Sequence, residues 1–306
     1  MIGAPLFIVS NPALVIAQCT SGIVGGFPAL NARPAAKLDE WLHEIIEALA
    51  AWDRSHPERP AAPFAVNQIV HRSNDRFETD MAVCAKWKVP IVITSLGARE
   101  DLNRAVHGWG GITFHDVIDD RFARKAIDKG ADGLIAVAAG AGGHAGRWSP
   151  FALVQEIRAW FDGPLALSGS IATGGAILAA QAAGADLAYV GSPFIATSEA
   201  NASDAYKQGI VEGGAADIVY TDLFTGVHGN YLRASIEAAG LDPLALAAGN
   251  VETMKFGGDG AKAKAWKDIW GSGQGIGAID RVSPAAEFIA RLGDQYAAAR
   301  KRLCAL

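Results

Sequence analysis

The residue with the plainest chemical setting is His144, in the run Gly140-Ala-Gly-Gly-His144-Ala-Gly146. Imidazole titrates near neutral pH, so a well-placed histidine can take a proton from carbon or steady an anion. The flanking Gly142 and Gly143 let the backbone come close to a ligand and leave room for the ring to project over it. Two more glycine turns follow, Ser168-Gly169-Ser170-Ile171 and Gly191-Ser192-Pro193-Phe194. Glycine turns point backbone N–H groups at an anion, and serine hydroxyls add donors. A histidine at one strand end and two donor turns at the next two is the layout of a phosphate-anchored cofactor facing a base.

Other residues at the same level of the chain are softer candidates. Asn67 ends an apolar run, where its amide meets a polar ring edge or shapes a turn. Ser10 and Asn11 end the first apolar run, where backbone would lie along a flat ligand. His115 and Asp116 end another run at the same rim, and His228, in Thr225-Gly-Val-His-Gly-Asn230, reaches the pocket from a downstream segment. His43, His56, His71 and His107 have no supporting neighbours. Gly140-x-Gly142-x-x-Ala145 formally matches a dinucleotide fingerprint, but that motif belongs in the first βαβ unit and runs straight into a helix. Here Arg147-Trp148 intervene, and the next helix opens at Ser149-Pro150. Trp266 and Trp270 flank Lys267-Asp268 at helical spacing and read as packing. No metal-ligand cluster, nucleophile elbow or P-loop is present in the sequence.

These residues need elements to place them. Apolar runs at Leu6–Val9, Gly22–Val24, Phe64–Gln68, Ile91–Thr94, Gly111–Phe114, Leu134–Val137, Leu165–Leu167 and Leu187–Val190 read as strands. Helical patterns lie between them, at Ala13–Cys19, Ala36–Arg54, Phe77–Trp87, Ala98–Val106, Asp119–Lys129, Pro150–Trp160 and Gly175–Ala183. Such alternation demands a parallel sheet, and its strand count closes a (β/α)8 TIM barrel. In that fold the site lies at the carboxyl ends of the strands, with phosphate commonly after strands seven and eight. Gly169-Ser170 and Gly191-Ser192 stand there, and the helix beginning near Thr173 adds its positive end. Two junctions echo each other, Lys129-Gly-Ala-Asp-Gly133 and Ala183-Gly-Ala-Asp-Leu187, each a glycine stop before a strand. After Phe194 the pattern loosens into a helix near Ser203–Glu212, the run Ile218–Tyr220, a glycine-rich stretch Gly257–Gly277 and a last helix Pro284–Leu303. The division expected is a barrel core over 1–200, a cap or lid over 201–280, and a C-terminal helix over 281–306 that returns to the barrel.

Composition narrows the class. A chain of 306 residues, 50% hydrophobic, buries a large core as one unit. A net charge of −5 leaves no electrostatic footprint for nucleic acid, and the clusters Arg121–Lys125 and Lys262–Lys267 read as solvated helix faces. Cys19, Cys84 and Cys304 lack disulfide or zinc spacing and fit a reducing cytoplasm. No basic leader or apolar run of about 18 residues is present, so neither a signal peptide nor a membrane span is expected.

On these residues the chain resembles the nitronate monooxygenases, formerly 2-nitropropane dioxygenases. These are FMN-dependent (β/α)8 barrels related to flavin-dependent enoyl-acyl carrier protein reductases and NADH:quinone reductases. The resemblance runs from Pro5 to Gly277, is strongest in Ala138–Gly146 and Leu165–Phe194, and is most specific at Gly142-Gly-His-Ala-Gly146. It implies an active-site role for His144, FMN phosphate loops at Gly169-Ser170 and Gly191-Ser192, Asn67 near the flavin ring, and a closing segment at Gly271–Gly277. The activity implied is oxidation of alkyl nitronates or nitroalkanes with O2. The alternative is NAD(P)H-dependent reduction of a quinone or enoyl thioester. Departures from the family are Val9-Ser10-Asn11 in place of a methionine, Ser170 in place of glycine, Ser192-Pro193 in place of threonine-arginine, and Asp116 in place of a lysine. Substrate, electron donor and oligomeric state stay open.

Overall fold

The computed structural model describes residues 1–243 and 268–305. Trp266, the Lys262–Lys267 cluster and the first part of the Gly257–Gly277 stretch lie outside the described residues. Eight parallel strands form the barrel: β1 (Ile2–Gly3), β2 (Gly25–Pro28), β3 (Phe64–Ile69), β4 (Ile91–Ser95), β5 (Ile112–Val117), β6 (Gly133–Val137), β8 (Leu165–Ser168) and β9 (Leu187–Val190). They run in the order β1-β9-β8-β6-β5-β4-β3-β2. Closure comes from the Ile2–Val24 bridge and from Gly3 N–H, which donates to Val24 O at 2.7 Å. A separate antiparallel sheet, in the order β10-β11-β7, joins β7 (Gly143–His144), β10 (Ile218–Thr221) and β11 (Gly229–Leu232).

Side chains alternate along each strand, so every barrel strand has an inner and an outer face. Ile2, Ala65, Ile91, Ile93, Phe114, Ile135 and Ala166 pack as the inner cluster. The outer faces meet the helices, with Val66 and Val92 against Leu42, Ile45 and Val106, and Leu134 and Leu165 against Leu153, Val154 and Ile157. The two echoing junctions do the same work. Gly130 (φ +87°) and Gly184 (φ +114°) end their helices in the left-handed region. The aspartate two residues later then takes an N–H at the start of the neighbouring strand: Thr113 N–H to Asp132 at 2.7 Å, Leu165 N–H to Asp186 at 2.8 Å.

Two expectations need correction. The first strand is Ile2–Gly3, not Leu6–Val9, and the second is Gly25–Pro28, not Gly22–Val24. Leu6–Val9 is a turn: Leu6 O accepts from both Val9 N and Ser10 N, and Ile8 sits at φ +68°. Asn31 holds it, accepting from Ile8 N and donating to Leu6 O and Ser10 O. The helix beginning after Thr173, Gly174–Ala182, also differs from expectation. Its first N–H donates to Gln295 of the C-terminal helix Ala285–Cys304 at 2.9 Å, and a Cβ on Gly174 would stand 2.2 Å from Tyr296 N. That helix start faces its neighbour and not the strand-end cavity.

Candidate active site

At the carboxyl ends of the strands the barrel opens into a cavity of about 1390 Å³. Its floor is the last inward-facing layer of the strands: Asn67 on β3, Ser95 on β4, Asp116 on β5, Val137 on β6, Ser168 on β8 and Tyr189 on β9. Period two places them together, since each lies an even number of residues beyond an inner-cluster residue or packs with that cluster itself. A hydrogen-bonded relay crosses the floor. Asn67 Nδ2 donates to Ser95 Oγ at 2.7 Å, and Ser95 Oγ–H donates to Asp116 Oδ2 at 2.6 Å. Asn67 Oδ1, Asp116 Oδ1, Ser168 Oγ and Tyr189 OH make no hydrogen bond with the described residues. Four polar atoms that line a large cavity without protein partners are available to a ligand, and they suit a flat one with polar ring edges.

Three backbone segments interlock at the rim beside Ser168. Gly140 O accepts from Ser170 N at 3.3 Å and from Gln274 N at 3.0 Å, and Gly273 N–H donates to Ser192 Oγ at 2.8 Å. The contacts need glycine. A Cβ on Gly142 would lie 2.8 Å from Gly273 N, on Gly169 2.8 Å from Ala139 O, and on Gly273 2.6 Å from Gly140 O. Gly169, Ser170, Gly191 and Ser192 all line the cavity, as do Gly142 and Gly143. Ser170 takes the left-handed conformation, φ +55°, with its side chain exposed. Glycine adopts that conformation freely, whereas a serine is held there at a cost of about 1 kcal/mol, a strain typical of functional sites.

His144 is not in a free loop. It pairs with Gly229 across the β7–β11 ladder, and Gly143, at φ +67°, pairs with Asn230. Its Nε2 lies 3.1 Å from Thr225 Oγ1, and Thr225 Oγ1–H donates to Val227 O at 2.9 Å. Thr225 thereby holds the imidazole in place beside the cavity. Burial drives the imidazole down to about 4, so it is neutral at pH 7.

The remaining expected residues are distributed as follows. His228 is exposed at the rim, its ring 5.1 Å from Tyr220, with Asp222 3.9 Å away. His115 touches the cavity but is buried, hydrogen-bonded to Thr94, and pushed down to about 4 by burial. Parity turns Asp116 inward and His115 toward the helix layer. Ser10 is fully buried, its hydroxyl accepting from Leu6 N at 2.9 Å, and the wall beside β1 is made by residues 4–9 instead. Trp270 stacks on Tyr206 with centroids 4.8 Å apart.

Sequence reasoning missed the floor partners Ser95 and Tyr189, the Thr225 partner of His144, and an apolar mouth. Ile8, Leu96, Ile118, Phe122, Trp148, Tyr220 and Val227 are exposed large hydrophobics, and all line the cavity. Ile8 and Leu96 (φ +61°) hold this exposure from left-handed backbone. Arg121, Lys125 and Arg147 share the mouth and form no ion pair with the described residues. Among the described residues no helix is long and apolar enough to cross a membrane.

The family model of nitronate monooxygenase matches residues 45–295. A nitronate monooxygenase of Paraburkholderia phytofirmans is 27% identical, the alignment covering 95% of this chain and 90% of that protein. A probable nitronate monooxygenase of Staphylococcus saprophyticus is 31% identical over 63% of this chain and 57% of its own length. Two solved structures share the fold: FabK from Thermotoga maritima (TM-score 0.77, 24% identity, 99% of this chain and 94% of that one) and nitroalkane oxidase from Streptomyces ansochromogenes (TM-score 0.78, 23% identity, 98% and 96%). The barrel, the glycine-set histidine and the family match together place this chain in the nitronate monooxygenase family, as an oxidoreductase.

Proposed function

We propose that this oxidoreductase binds FMN and oxidises alkyl nitronates, or nitroalkanes after deprotonation, with O2 as the final acceptor. The observation that carries the reading is convergence. His144, the unpartnered polar atoms of the floor and two serine-bearing turns meet at one cavity of about 1390 Å³ in a chain of this family. FMN, when bound, supplies an acceptor for the substrate's electron pair and a route for it to oxygen. Gly169-Ser170 and Gly191-Ser192 would hold its phosphate, with Pro193 contributing no N–H to that grip. Gly142 and Gly143 bring backbone alongside, and Asn67 meets a ring edge from the floor.

His144 acts on the substrate. Its imidazole takes the α-proton of a neutral nitroalkane, the C–H electron pair moving into the C=N bond of the nitronate. For a substrate already deprotonated, the tautomer with its N–H toward the pocket would orient the nitro oxygens. The described residues of 201–280 serve as a cap over the core 1–200, with the helix Ala285–Cys304 returning to the barrel. The β10-β11-β7 sheet links that cap to His144, and His228 closes the rim. The test is an absorbance spectrum of purified protein, then anaerobic mixing with a nitronate and, separately, with NADH. Nitronate that bleaches the flavin, followed by recovery in O2, supports the reading. Bleaching by NADH alone replaces it with the NAD(P)H-dependent reductase, and colourless protein that takes up no FMN removes it.

A further inference from the structure

Asp116 is the group on the floor that the proposed reaction does not use. It is half-buried on the inner face of β5, at the position where its Oδ2 receives the end of the Asn67–Ser95 relay. Ser95 has one hydroxyl proton, and it is directed at Oδ2. With Ser95 donating to Oδ2, a proton held by the carboxyl is placed on Oδ1, the oxygen with no partner among the described residues.

Among the described residues, the charged and titratable neighbours offer no counter-ion. Tyr189 faces Asp116 from β9, and its hydroxyl is pushed well up by burial and by the Asp116 charge, so it stays neutral. His144 comes from β7 and is neutral at pH 7. His115, next in the chain, is turned to the helix layer. Asp119, Arg121, Lys125 and Arg147 line the mouth, and none forms an ion pair with Asp116. A carboxyl partly withdrawn from water, with no cation beside it, keeps its proton to higher pH than usual. Burial, opposed by the Ser95 hydrogen bond, pushes Asp116 up to about 6.

We propose that Asp116 is a ligand-binding acid of this site, donating from Oδ1 to an acceptor on the flavin ring lying over the floor. The proposal rests on the flavin reading above and goes beyond it, since it makes flavin affinity pH-dependent. The neutral acid donates; the carboxylate repels the same ring acceptor. No proton leaves Asp116 in the bound state.

The test uses whole protein and two readouts. Infrared difference spectra of wild type against D116N, without flavin, follow the protonated-carboxyl C=O band from pH 4 to 8. Equilibrium binding of riboflavin and of FMN, by fluorescence quenching, covers the same range. Riboflavin has no phosphate, so its pH dependence cannot come from phosphate titration. The expected results are a carboxyl band that disappears with a midpoint near Asp116's ionisation and is absent from D116N, and wild-type affinity that falls toward tenfold per pH unit above it. D116N keeps an N–H donor and binds with a flat pH profile. S95A, which loses the donor to Oδ2, moves the midpoint upward, a shift that a purely structural role would not produce. Riboflavin affinity that is flat in wild type, or that falls identically in D116N, overturns the proposal alone. Wild type that binds neither flavin at any pH removes the underlying reading and the proposal with it.

Discussion

Replacing Gly273 by alanine tests whether the three rim segments work as one seam. The added Cβ would stand 2.6 Å from Gly140 O and 3.1 Å from Gly142 N, where ordinary contact begins at 3.4 Å. These are backbone atoms, so relief requires the segments to part by about 0.8 Å, the difference between 3.4 and 2.6 Å. That movement breaks or stretches Gly273 N–H to Ser192 Oγ (2.8 Å) and Gln274 N–H to Gly140 O (3.0 Å). Two hydrogen bonds contribute about 1 kcal/mol each, and overpacking adds about 1–3 kcal/mol. The expected loss is about 3–5 kcal/mol in urea unfolding, with weakened FMN uptake because Ser192 loses its anchor. Gly277 is the control in the same segment: its Cβ would meet nothing nearer than 3.6 Å. G277A should match wild type to within about 1 kcal/mol. If G273A is as stable as G277A and takes up FMN equally, the seam does not position Ser192 and the reasoning fails.

Three further outcomes follow from the same geometry. H144N should lower nitroalkane turnover by roughly 10²–10⁴-fold while leaving FMN uptake intact, measured by steady-state kinetics and fluorescence titration; unchanged turnover would remove His144 from the reaction. Stability should be bounded on both sides of pH. Asp116, raised from 3.8 to about 6, favours the fold below pH 3.8 and loses that contribution as pH rises through 6, so D116N should be more stable than wild type at pH 8, by up to about 3 kcal/mol, and equal to it at pH 4. His115 and His144, lowered from 6.5 to about 4, destabilise the fold as pH falls from 6.5 to 4, and melting temperatures across pH 4–8 read both limbs. The apolar mouth should favour longer nitronates, with kcat/KM rising up to about fourfold per added methylene, from about 0.8 kcal/mol each; a flat series from two to eight carbons would deny the mouth a role.

What the sequence made legible follows the range of the interactions. Six barrel strands are readable because apolar runs between helical patterns are local signals. The first two are not. Leu6–Val9 has strand composition, but Asn31 and the left-handed Ile8 bend it into a turn. His144 and the serine turns stand out because glycine spacing is visible along the chain. Their partners are not visible, since Thr225 lies 81 residues from His144 and Gly273 lies 81 residues from Ser192. Between His115 and Asp116, composition alone favours the histidine. The inner-face parity set by Phe114 favours the aspartate. The φ of +55° at Ser170 is not visible along the chain, and glycine would adopt it without strain.

The most direct measurement is an experimental structure of the protein crystallised with FMN. Phosphate density is expected between Gly169-Ser170 and Gly191-Ser192, with the ring over Asn67, Asp116 and Tyr189, and His144 facing the ring from β7. Phosphate bound elsewhere, or a ring that leaves this floor uncovered, would contradict it.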